Sequence, residues 1–223
     1  MRQKDDLHFA QILNIPREGF HTADDIKMLK SIILSQHETP PKDCLHFFAT
    51  NKEAAEYNQN ICDTLPGPKI TFQATDVVGD LPKSLLEEVK DKIPERSQDN
   101  GKRLEKDLVP AVGQRVEACI NVNVSDGLTN GASGIVTCLS NVSEHTYTCV
   151  WILFDDPKVG KITRRSHRPA YHGNISSSWT PISRTSRLFR VGKGHNGQVL
   201  TKQFPLRPTS AKTVHRAQGD TVP

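Results

Sequence analysis

"CLHFFATNKEAAEYNQNIC", Cys44 to Cys62, changes character at its middle. Its first seven residues are a short apolar run of strand length, set off from what precedes by Pro40 and Pro41. From Asn51 onward the period lengthens: Ala54, Tyr57, Ile61 and Leu65 form one stripe at helical spacing, and Asn51 is placed to cap that helix. Upstream, "HTADDIKMLKSIIL" reads as another capped helix. Thr22 accepts from the backbone three residues on, Asp24 and Asp25 favour the first turn, and Ile26, Leu29 and Ile33 follow the helical period. Helix, strand and helix in succession predict an α/β layer.

Beyond this layer the composition shifts twice. From Asp80 to Leu108 charges dominate and Pro82 and Pro94 bracket at most one short helix, so this stretch reads as a boundary. After it the period falls to two. Val116, Ala118 and Ile120 alternate with polar neighbours, "GIVTCL" follows, and "YTCVWILF" is the most strand-like run of the chain. Glycines and asparagine punctuate these strands at Gly113, Gly127, Asn130, Gly131 and Gly134, which read as structural turns. The pattern predicts a small β-barrel or sandwich inserted into the α/β part. Later fragments, "SRLFRV" and "QVLTKQF", are again strand-like.

The net charge of +4 conceals a division. Met1 to Asp156 holds 16 Lys and Arg against 24 Asp and Glu, whereas Pro157 to Gly219 holds 13 basic residues and no acidic one. An ordinary solvated face mixes both signs. A carboxylate-free stretch of this length points to a polyanion, whose phosphates release counterions when Lys and Arg neutralise them. The competing reading is a basic surface that docks on the acidic part of the same chain. Five cysteines, with no CxxC pair, read as reduced and mostly buried thiols, and His167 and His172 lie in a polar stretch without a third metal ligand nearby. No run approaches the roughly 18 apolar residues of a spanning helix, and the N-terminus has no signal-peptide core, so an intracellular protein without a membrane partner is expected.

"TVHRAQGD", Thr213 to Asp220, carries the densest chemistry. From Pro208 to Gly219 the sequence has a helix's polarity, with proline near its first turn and glycine past its end. Ala211, Val214, His215 and Gln218 fall on one face of such a helix, and Lys212 and Arg216 on another, where both suit phosphate. An amphipathic terminal helix whose histidine caps the last carbonyls fits the same spacing.

"QFPLRPTSAKTVHRAQGDT" resembles motif five of the PIF family of superfamily-one, RecD-like DNA helicases. "LVPAVGQRVEACINVNVSDGLTNGASGIV" resembles the family's glycine-punctuated segment, "FFATNKEAAEYN" a third segment, and "MRQKDDLHFAQIL" its motif four. The four matches stand in family order and cover most of the chain. The resemblance implies the C-terminal portion of an ATP-dependent 5′-to-3′ DNA helicase: an incomplete second RecA-like domain with an inserted SH3-like β-barrel subdomain, called 2B. The implied division is residues 1–80 for the first part of the RecA-like domain, 81–165 for linker and 2B, and 166–223 for the return with motif five.

Site residues follow from the resemblance position by position. Arg2 matches the arginine that reaches the γ-phosphate, in the manner of arginine fingers. Lys212, Thr213, His215 and Arg216 match single-stranded DNA contacts, Gln218 and Gly219 the coupling between DNA and nucleotide, and Thr50 and Asn51 a further phosphate contact at a helix start. The family's cofactors are ATP and Mg2+, its partners single-stranded DNA and the first RecA-like domain. Its roles are replication, repair, recombination and telomere maintenance, with a nuclear or alternatively mitochondrial location.

The sequence also departs from the family. Ser210 stands where an aromatic residue is usual, and Glu117-Ala118 where the family has Met-Leu. The pattern G-x-x-x-x-G-K-[ST] occurs nowhere, Lys193 being followed by glycine, so ATP hydrolysis by this polypeptide alone is expected to be negligible. Two readings of the chain result: a helicase fragment, and a non-catalytic nucleic-acid-binding protein derived from a helicase, of mobile-element origin.

Overall fold

Thr50 lies two residues past a strand and caps the helix that follows, and the geometry of that turn orders the α/β part. In the computed structural model the described residues are 12, 15, 19–31, 33, 44–79, 87, 104–143, 146–190 and 198–217. They fall into two compact units, Met1–Cys44 and Leu45–Pro223. The described helix of the first is α1 (Ala23–Ser31). Its start is fixed reciprocally: the Asp25 backbone N–H donates to Thr22 Oγ1 at 3.2 Å, and the Thr22 N–H donates to Asp25 Oδ2 at 2.8 Å.

In the second unit, strand β1 (His46–Phe48) runs parallel to a strand near the end of the chain, β12 (Ala211–Thr213), in the register His46 to Ala211, Phe47 to Lys212 and Phe48 to Thr213. Helix α2 (Asn51–Thr64) follows β1. Its N-cap is Thr50 rather than the expected Asn51, because Glu53 stands three residues on and closes a capping box. Thr50 Oγ1 accepts from the Glu53 N–H, and Glu53 Oε2 accepts from the Thr50 N–H at 3.0 Å.

The buried face of α2 holds Ala54, Asn58 and Cys62, one of them polar. Asn58 is retained there because it replaces a missing strand. Its Nδ2 donates to the Ala211 carbonyl at 2.9 Å and its Oδ1 accepts from the Ala211 N–H at 2.8 Å, which satisfies backbone groups on β12 that would otherwise be buried and unpaired.

The β-rich part holds two short pairing strands, β2 (Phe72–Gln73) and β4 (Asp107–Leu108), and three sequential partners of the antiparallel kind, β3 (Thr75–Val78), β10 (Gln198–Gln203) and β9 (Thr185–Arg190). Its largest sheet joins β5 (Arg115–Ala118), β6 (Ser133–Ser143), β7 (Thr146–Phe154), β8 (Thr180–Ser183) and β11 (Leu206–Pro208) in the order β11-β5-β6-β7-β8, every pair antiparallel. The expected small β unit is therefore present, but as an open sheet: among the described residues no ladder closes it into a barrel. One apolar core, including Phe72, Val116, Val136, Ile152, Phe204 and Leu206, joins this sheet to β2 and β4.

The turn residues have distinct tasks. Gly113, Gly127 and Gly131 have φ of +89°, +71° and +91°, a region costly for residues with a Cβ. Gly134 does not; it serves close approach, since a Cβ there would lie 2.5 Å from the Leu153 carbonyl oxygen on β7. Asn130 takes its backbone N–H to Asn121 Oδ1 at 2.8 Å.

The chain's last described stretch corrects one expectation. Instead of a helix from Pro208 to Gly219, it forms β11, then β12, then a single helical turn, α4 (Val214–Ala217). Leu206 to Pro208 are drawn into pairing with β5 and Ala211 to Thr213 into pairing with β1, and this tertiary pairing overrides the local helical pattern.

Candidate nucleic-acid interface

Because β1 and β12 are parallel, both run into helices at the same end. Thr50 and Asn51 follow one strand, and Val214, His215 and Arg216 follow the other. Two stretches separated by more than 160 positions are thereby brought to the C-terminal ends of neighbouring parallel strands, where open α/β sheets characteristically bind ligands. A depression of about 370 Å3 is lined by Phe47 of β1 and by Val214, His215 and Ala217 of the helical turn after β12. Thr50, Asn51 and His215 are exposed; Thr213 is buried in β12.

The two lysine and arginine candidates behave differently from the histidine. Lys212 is not on a helix face but in β12, buried, with Nζ 2.5 Å from Glu117 Oε2. Arg216 reaches the same carboxylate, with Nη2 2.7 Å from Oε1, and Arg207 places Nε 2.6 Å from Oε1. Thr209 Oγ1 donates to Oε2 at 3.1 Å. Glu117, whose side chain is 2% exposed, thus accepts four bonds and gathers three cations of the carboxylate-free stretch. Burial alone would raise its pKa, but the Arg207 charge, the hydrogen bond and charge of Lys212, and the Arg216 charge overcome it and hold the carboxyl at about 2.

Sequence reading missed Glu117 as a functional residue, placing it among the solvent-facing positions of an alternating strand. Both faces of β5 are covered, and Val116, Glu117 and Ala118 are all buried. A signal was present: a single carboxylate within the apolar "VEACI", in a chain whose later part has cations and nothing to pair them. Arg207 also donates to Asn130 Oδ1 at 3.4 Å, so that turn asparagine touches the cluster.

A second basic region sits on the connection between β7 and β8. Helix α3 (Lys161–Ser166) is anchored by the buried Asp126, whose carboxylate accepts the Ile162 N–H at 2.6 Å and the Thr163 N–H at 2.8 Å. Arg164 is used internally, donating to the Pro157 and Val159 carbonyls. Lys158, Lys161, Arg165 and Arg168 remain exposed along a cleft of about 570 Å3, and no described carboxylate pairs with them. Tyr171 lines this cleft too. Its ring meets Trp151 edge-on at 5.0 Å and its hydroxyl donates to the Trp179 carbonyl at 2.5 Å.

Arg2, Gln218 and Gly219 lie outside the described residues. Among the described residues no three metal-ligating side chains come together, and no helix is long and apolar enough to cross a membrane.

No protein-family model and no curated protein sequence matches the chain. Solved structures do. A Pif1 helicase from Candida albicans is similar over 100% of this chain and 47% of its own, with TM-score 0.68 and 20% identity. Pif1 helicase from Bacteroides in complex with ADP-AlF3 and single-stranded DNA is similar over 100% of this chain and 42% of its own, with TM-score 0.58 and 19% identity. Bacteroides Pif1 bound to single-stranded DNA gives 99% and 42%, with TM-score 0.56 and 20% identity. The fold is that of a Pif1 helicase portion. The chain thus spans less than half the length of the Pif1 structures it resembles.

Proposed function

We propose that this chain is the part of an ATP-dependent 5′-to-3′ DNA helicase that holds single-stranded DNA and forms one side of the nucleotide cleft. The observation that carries the reading is the placement of Thr50, Asn51, His215 and Arg216 at the C-terminal ends of two parallel strands, in a chain similar in fold to a Pif1 helicase structure. Hydroxyl, amide, imidazole and guanidinium groups placed together suit backbone phosphates and offer little with which to read bases. On this reading residues 81–165, with β5 to β7, hold the linker and an SH3-like 2B subdomain, and residues 1–80 and 166–223 belong to a second RecA-like domain.

Nucleotide chemistry belongs, in this proposal, to the assembled motor. Arg2 supplies charge to the transferring phosphoryl, and a partner RecA-like domain supplies the phosphate loop and the Mg2+ ligands. Binding to a fluorescent oligothymidylate, followed by anisotropy between 50 and 200 mM salt, tests the reading. The expected result is affinity that falls steeply with salt, with a slope of roughly 0.7 per phosphate neutralised. Affinity that stays flat over that range would exclude a phosphate-gripping surface.

A further inference from the structure

Glu117 stands outside every role assigned so far, yet it touches the one guanidinium that the single-strand reading needs. We propose that Glu117 is an internal competitor for DNA phosphate: it holds Arg216 in reserve beside the end of β12, and a phosphate of the bound strand takes that guanidinium over. The inference rests on the single-strand reading and adds to it the residue that sets its affinity.

Three features of the cluster carry the inference. First, Arg216 is the least buried of the three cations, its side chain being 29% exposed against 9% for Arg207 and 6% for Lys212. Second, Arg216 is held by half. It gives Nη2 to Glu117 Oε1, an oxygen it shares with Arg207, while its Nε is buried with no acceptor among the described residues. A guanidinium satisfied by a carboxylate or phosphate commonly uses two parallel N–H groups, so one donor of this fork is idle. Third, release of Arg216 does not strand the carboxylate. Arg207, Lys212 and Thr209 still donate to Glu117, so the exchange leaves a paired anion rather than an orphaned one. A phosphodiester of the strand offers two non-bridging oxygens, enough to satisfy both Nη2 and Nε.

The test uses the whole chain, labelled with 15N, and an oligothymidylate. The arginine Nε–H resonance that disappears in Arg216→Lys is assigned to Arg216 and followed during titration. The proposal expects it to shift and to exchange more slowly with water at saturation, while the Arg207 Nε–H, bonded to Glu117 throughout, stays in place. Binding without any change at Arg216 overturns the inference and leaves the single-strand reading standing; absence of binding overturns both. Glu117→Gln, checked for folding by circular dichroism, is expected to bind the oligonucleotide more tightly. A folded variant with weaker binding would also overturn the proposal.

Discussion

Glu117 is the residue on which most of the motif's charge closes, and its ionisation has a measurable consequence. Its carboxyl is held at about 2 against an ordinary value of 4.5, so the native state binds that proton less readily than the unfolded chain does. The stabilisation is fully present above the unfolded value and is lost as pH falls through the range from about 4.5 to about 2. A depression of this size corresponds to about 3 kcal/mol. Urea midpoints measured from pH 6 to pH 2.5 are expected to drop for the native chain. In Glu117→Gln the acid-dependent part shrinks, and the neutral-pH stability falls because two buried cations lose the anion they share. Equal acid sensitivity in both proteins would mean that other carboxylates govern the transition.

At the level of elements, α2 and β12 are joined by one side chain. Asn58 pairs both backbone groups of Ala211, so Asn58→Ala leaves a buried N–H and a buried carbonyl without partners. Unfolding in urea is expected to show a loss of about 2–4 kcal/mol, well above the cost of an exposed substitution on the same helix. This pairing also marks how far the sequence could be read. The strand at His46–Phe48 and the helix after it were legible because an apolar run, a capping residue and a 3.6-residue stripe agree locally. Long strands β6 and β7 were legible for the same reason, and so were β9 and β10. By contrast Ala211 to Thr213 carry no local strand signal; what makes them a strand is β1 on one side and Asn58 on the other, both far away in sequence. Glu117 was hidden by the same kind of distance, since its alternation looked solvent-facing until β11 covered it. The two-residue strands β2 and β4 are too short to leave any period.

Across the whole molecule, the carboxylate-free stretch divides between two fates that a charge count cannot separate. Arg207, Lys212 and Arg216 meet the chain's own Glu117, which is the competing reading of the basic region realised at one point. Lys158, Lys161, Arg165 and Arg168 meet no described carboxylate and line an open cleft. The two groups therefore ought to respond differently to substitution. Replacing the four cleft residues by alanine removes exposed side chains from α3 and the turns that flank it, and the anchorage of that helix through Asp126 and Arg164 is retained, so stability is expected to change little. Nucleic-acid affinity should fall, and the salt slope should shrink by up to about 3 if each residue neutralises one phosphate of a single strand. Arg216→Gln is expected to lower the slope by roughly 0.7 on its own, independently of the cleft. Combining the five changes and measuring binding against salt separates the cases. Additive slopes mean that one strand crosses both regions, whereas a cleft variant that binds like the native chain confines the grip to the ends of β1 and β12.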